Sequence, residues 1–95
     1  MAHTELEYQM LKVDRGFYNE PPAEVKAYME HLLDVVHSRL KKQGITINTD
    51  DMDDENLVVM YASWLYRKRD TGEGKPRMLR EALNDRKVHE KVGSV

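Results

Sequence analysis

The chain has 95 residues, which fits one domain and no more. Charged residues make up 34 % of it and hydrophobic residues 40 %, no apolar run approaches the length of a membrane span, and cysteine is absent, which excludes disulfides, thiolate catalysis and cysteine-based zinc sites. The net charge of −2 hides a division: residues 1–55 carry 12 acidic against 6 basic side chains, and residues 56–95 carry 5 against 9. An acidic half joined to a basic half suits head-to-tail contact between copies, an anionic partner, or pairing of the two signs inside one monomer.

The first ten residues, MAHTELEYQM, hold neither a basic region nor an apolar block, so no signal peptide is expected. Thr4-Glu5-Leu6-Glu7 has the form of a capping box, a hydroxyl followed three residues later by a carboxylate. A short helix should follow to about Val13, with Leu6, Met10 and Val13 on one face, and Asp14-Arg15-Gly16 should end it. Phe17 to Glu20 reads as a linker. Pro21-Pro22 then opens a long helix to about Gln43, because proline fits a first turn where its missing N–H leaves no bond unmade. Val25, Tyr28, Met29, Leu32, Val36 and Leu40 form its apolar stripe, Leu33 and Val35 widen it, and Gly44 is the expected cap.

Gly44 to Asn48 alternates and is rich in β-branched residues, which predicts either a brief strand or an extended stretch draped over the core. No partner strand is evident, so draping is expected. Thr49 to Glu55 reads TDDMDDE. The EF-hand pattern fails there, since the central glycine and the closing glutamate are missing, and Asp51, Asp53 or Asp54 is expected to cap the next helix instead.

That helix spans about Asp54 to Asp70. Leu57, Met60, Tyr61, Trp64 and Leu65 recur at three- and four-residue steps, and Trp64 is the only tryptophan, so this helix should be the centre of the core. Thr71-Gly72-Glu73-Gly74-Lys75 breaks it and lacks the spacing of a phosphate-binding loop. A last helix should run from Pro76 to about Lys91, with Met78, Leu79, Ala82 and Leu83 inward and Arg77, Arg80, Arg86 and Lys87 outward or sideways. From about Val88 to Val95 a flexible tail is expected. The expected architecture is therefore all-α: a single-domain small bundle of about four helices, with a short extended segment between the second and third.

Little here points to catalysis. His3, His31, His37 and His89 form no helical zinc pair, and Ser38, Ser63 and Ser94 have no evident base. No pattern converges two of the 17 acids on a cleft. No catalytic residue, cofactor or metal is expected. The basic cluster Arg67, Lys68, Arg69, Lys75, Arg77 and Arg80, set where one helix turns into another, keeps open a small helix-turn-helix-like DNA-binding regulator.

The block from Asp54 to Val88, DENLVVMYASWLYRKRDTGEGKPRMLREALNDRKV, resembles the small helical head–tail connector, or adaptor, proteins of tailed bacteriophages. The likeness lies in an aromatic-rich helix ending in a tyrosine and basic residues (Tyr61, Trp64, Tyr66, Arg67, Arg69). A glycine-containing loop follows, then a helix of the type P-x-M-L-x-x-A-L-N-x-R (Pro76, Met78, Leu79, Ala82, Leu83, Asn84, Arg86). The acidic TDDMDDE loop and Glu81 and Lys87 depart from that pattern. The resemblance implies a structural virion protein, assembled in the host cytoplasm, that forms a ring, usually dodecameric, beneath the portal at the head–tail interface. It would extend the DNA channel without sequence-specific binding and join the portal protein to a stopper or tail-completion protein. It would catalyse nothing and touch no membrane. The tail residues Val88, His89, Lys91, Val92 and Val95 would lie against the portal. In such a ring, one face of each subunit meets a different face of the next. Arg77, Arg80 or Arg86 is expected to reach Glu30, Asp34 or the 50–55 loop of a neighbour. An adaptor unrelated to phage particles would instead be a stable monomer or dimer with one apolar groove.

Overall fold

The computed structural model describes residues 3–72 and 74–93. It is all-helical, with α1 (Glu5–Asp14), α2 (Ala23–Lys42), α3 (Met52–Thr71) and α4 (Arg77–Gly93) and no strand among the described residues.

The helix ends follow local chemistry. At α1 the Thr4 hydroxyl accepts from the Glu7 amide at 3.1 Å, and the Glu7 carboxylate accepts from the Thr4 amide at 2.9 Å, closing the capping box. At the end of α2 the Ile45 amide donates to the Leu40 carbonyl (2.9 Å) and the Gly44 amide to the Lys41 carbonyl (3.1 Å). This is a Schellman motif, and its left-handed position is Gly44 at φ 82°. The motif also explains the 45–48 stretch: it folds Ile45 back onto the end of α2, where that side chain is buried, and the chain drapes over the core. Asp51 caps α3 by accepting from the Asp53 amide at 2.9 Å.

α3 is the axis of the molecule. α1 and α2 both pack on it and on each other, whereas among the described residues α4 packs on no helix but α3. From Leu57 to Leu65 every α3 side chain but Met60 is buried, and Met60 packs on the core partly buried. A helix apolar all round is one enclosed by its neighbours. Trp64 is only 5 % exposed, stands edge-on to Tyr61 at 5.9 Å between ring centroids, and donates its indole N–H to the Gly74 carbonyl at 3.0 Å. The tryptophan thereby anchors the turn that leads into α4.

Two helices present faces other than those expected. α1 buries Tyr8 and Leu11, with Glu7, while Leu6 and Val13 are exposed. Tyr8 offers more area than either, and its hydroxyl reaches the Glu20 carboxylate at 2.9 Å, so this face wins. In α4, Leu79 and Leu83 point inward and Ala82 is partly covered, but Met78 is 73 % exposed. The inward stripe is Leu79, Leu83, Arg86 and Glu90, at steps of four, three and four, and Met78 lies off it. α4 also continues as helix past Val88 to Gly93, where the sequence suggests a flexible tail. Val88 is exposed there. The side chains of Arg69, Lys91 and Val92, and all of Glu73, Ser94 and Val95, lie outside the described residues.

Candidate functional site

Two polar clusters and one charged surface stand out. The first cluster joins α4 to the rest of the chain. Arg86 donates through Nε to Asp54 Oδ1 (2.8 Å), through Nη2 to Asp54 Oδ2 (3.2 Å) and to the Thr46 carbonyl (2.6 Å), and through Nη1 to Glu90 (2.8 Å). The Asn48 amide donates to the same Asp54 carboxylate at 2.9 Å. Burial opposes the Asp54 charge, but the Arg86 and Asn48 hydrogen bonds outweigh it and hold this carboxyl below its ordinary value. A planar, two-pronged guanidinium on a buried carboxylate is the strong form of the ion pair. One arginine thus clasps α4, the start of α3 and the 45–48 segment together.

The second cluster centres on two buried carboxyl groups. Glu7 of α1 and Glu55 of α3 are 0 % and 1 % exposed. His37 of α2 places Nε2 at 2.8 and 3.1 Å from the two Glu7 oxygens, and the Thr4 hydroxyl donates to Glu55 Oε2 at 3.0 Å. The other Glu55 oxygen faces no donor. Burial raises the Glu55 carboxyl, and its hydrogen bond with Glu7 adds to that, bringing it to about 7. It is therefore largely protonated in mild acid and donates to the Glu7 carboxylate. Burial opposes the Glu7 charge too, but the His37 and Thr4 hydrogen bonds prevail and hold Glu7 low. The Glu7 hydrogen bond in turn raises His37 against the cost of its burial. No sequence pattern singles out this pair, since 48 positions separate its members. A signal did exist: Glu55 lies at three- and four-residue steps from Val58 and Ala62, on an apolar stripe where a carboxylate requires a partner.

The residues expected at a subunit boundary are distributed unevenly. Arg86 is engaged within its own chain. Asp34 and Glu30 receive the ring nitrogens of His3, at 2.7 and 3.1 Å. Arg77 is exposed and pairs with Glu81 one turn on, and Arg80 is exposed. Asp50, Asp51 and Asp53 are exposed as well, and the last two line a cleft of about 510 Å³ with Asp85, Arg86 and His89. Of the basic cluster, Lys68 stacks over Trp64 at 4.7 Å and Lys75 over Tyr61 at 5.0 Å, so these two cations serve the core aromatics. Ser63 donates its hydroxyl to Asp14 of α1. A groove between α1 and α4 is lined by Val59 and Met60 of α3, with Asp14 on one side and the exposed Met78 on the other.

Among the described residues, no group of three or more histidines and acids is placed to hold a metal ion, and no helix is long and apolar enough to cross a membrane. Family models, curated proteins and solved structures provide no match to this chain.

Proposed function

We propose that this chain is a structural virion protein, a head–tail connector that assembles as a ring beneath the portal and joins the capsid to a stopper or tail. The observation that carries this reading is the placement of the Asp54–Val88 block, the part that resembles connector proteins. It forms the central helix and the helix that, among the described residues, packs on no helix but that one. The outer side of α4 carries Arg77, Met78, Arg80 and Val88, all exposed, and an acidic cleft opens where α4 meets the start of α3. A subunit with a basic patch at one end of α4 and an acidic cleft at the other suits a heterologous, head-to-tail contact that closes into a ring. With Arg86 occupied internally, Arg77 and Arg80 are the residues that reach the neighbour's Asp50, Asp51 or Asp53.

The DNA-binding alternative is weaker. Lys68 and Lys75 lie on aromatic rings, so fewer of these cations remain for phosphates. The test is to add the purified chain to the portal protein encoded in the same genome and image the mixture by negative-stain electron microscopy. Rings seated on the portal are expected. A monodisperse monomer that ignores the portal yet shifts duplex DNA at low salt would overturn the reading in favour of the regulator.

A further inference from the structure

We propose that α1 is a proton-controlled latch: Glu7 of α1, His37 of α2 and Glu55 of α3 hold two protons among them, and α1 docks tightly in mild acid and loosens as the pH rises towards neutrality. This inference stands apart from the connector reading, and neither depends on the other.

The geometry sets the requirement. One residue from each of three helices enters the cluster, and the fourth member is the Thr4 hydroxyl at the start of α1. Two carboxylates there face one imidazole. With His37 charged, Glu7 ionised and Glu55 neutral, the enclosed charge sums to zero and every contact pairs a donor with an acceptor. If Glu55 ionises, its Oε1 and Glu7 become two facing anions with one cation between them, away from water. If His37 then loses its proton, two anions remain with none. Asp34, farther out on α2, adds negative charge to the surroundings of His37 and is itself bonded to the His3 amide at 3.0 Å. The strain falls on α1 because that helix is the weakest partner. It has 10 residues, too few to persist as a helix without its docking surface. Besides this cluster, its polar ties to the rest of the chain include Tyr8 and Lys12 to Glu20, Lys26 over the Tyr8 ring, and Asp14 to Ser63.

The signs run in one direction. Glu55 is raised on docking from 4.5 to about 7, so its contribution is complete below about pH 4.5 and is lost as the pH climbs to about 7. His37 is also raised, so its contribution is complete below about pH 6.5 and is lost above. Glu7 is lowered and matters only on the acid side of about pH 4.5.

The experiment is amide hydrogen exchange on the full chain, with protection factors corrected for the chemical exchange rate, at steps from about pH 5 to 6.5. In the wild type, protection of the α1 amides should fall roughly tenfold or more across that window, while the α3 amides hold theirs. In Glu55→Gln, whose amide still donates to Glu7 but cannot ionise, α1 protection should stay level over the same window and fall only above it, as His37 gives up its proton. Level α1 protection in the wild type would overturn the proposal, as would an equal fall in Glu55→Gln or a fall shared by all four helices. The wild-type series needs no variant, so a poorly folding Glu55→Gln leaves the decision intact.

Discussion

Arg86 and Trp64 are both single contacts on which α4 depends, but they differ in kind. Arg86 is a charge taken largely out of water, and its value lies in never being left alone: removing one member of a buried ion pair costs about 3–5 kcal/mol because the other stays uncompensated. Arg86→Met should therefore lower the unfolding free energy read from a urea titration by an amount of that order, and Asp54→Asn somewhat less, since an amide still accepts from the guanidinium. The pH dependence gives a second readout. Asp54 is held low, so its contribution is present above about pH 3.8 and is lost on acidification, and Arg86→Met should flatten that acid limb. Trp64 contributes mainly area. Trp64→Ala should cost about 3–5 kcal/mol in thermal or chemical unfolding. Trp64→Phe keeps most of the apolar contact and forfeits the bond to the exposed Gly74 carbonyl, so about 0.5–1.5 kcal/mol of its loss is the hydrogen bond. A near-neutral Trp64→Ala would place the indole outside the core.

At the scale of helices, the caps and the faces obey different rules, and this decided what the sequence reveals. A cap is written within about five consecutive residues. Thr4 with Glu7 and Gly44 after Lys41-Lys42 could be recognised from spacing alone, and spacing narrowed the α3 cap to Asp51, Asp53 or Asp54, of which Asp51 is the cap. The caps also test well. A Cβ on Gly44 would meet nothing within 4 Å, so Gly44→Ala should cost only the backbone term for a left-handed residue, roughly 1–2 kcal/mol, measured as a shift in the unfolding midpoint. A larger loss would mean that the Ile45 fold-back is also disturbed. Which face a helix buries is instead settled by residues far away in the chain. The Leu6–Met10–Val13 face of α1 is as regular as the Tyr8–Leu11 face, but of its three residues only Met10 packs on the core, whereas Tyr8 and Leu11 are both fully buried and Tyr8 reaches Glu20. Glu7 and Glu55 are ordinary first-turn acids in the sequence, and only the approach of α1 to α3 makes them a buried pair. Arg86 was closer to legible, because it lies seven residues after Leu79 on the same stripe. Central-helix burial was legible in the density of aromatic and aliphatic residues, whereas Met78 resembles a core residue in composition alone.

For the whole molecule, the charge division of the sequence survives folding only in part. Some opposite charges meet inside the subunit, Arg86 with Asp54 above all. Among the charges that stay outside are a basic patch at Arg77 and Arg80 and an acidic one at Asp50, Asp51 and Asp53. A single exposed ion pair contributes about 0.2–1 kcal/mol and is screened by salt, so one such contact would not hold two copies together. A closed ring changes this arithmetic, because every subunit makes the contact twice and the last contact forms without further loss of translational freedom. Assembly should then be steep in both protein concentration and ionic strength. Arg77→Glu with Arg80→Glu should leave the fold intact, since both side chains are exposed, and should shift sedimentation of the chain from ring to monomer at low salt. Reversing Asp50 and Asp53 to lysine in the same chain, with Asp51 kept as the cap of α3, should restore the ring, because the complementarity is re-established with its signs exchanged. Rings that persist through the arginine reversal would remove these residues from the interface. Loss that the lysine reversal does not rescue would show that the arginines act on something other than the acidic cleft.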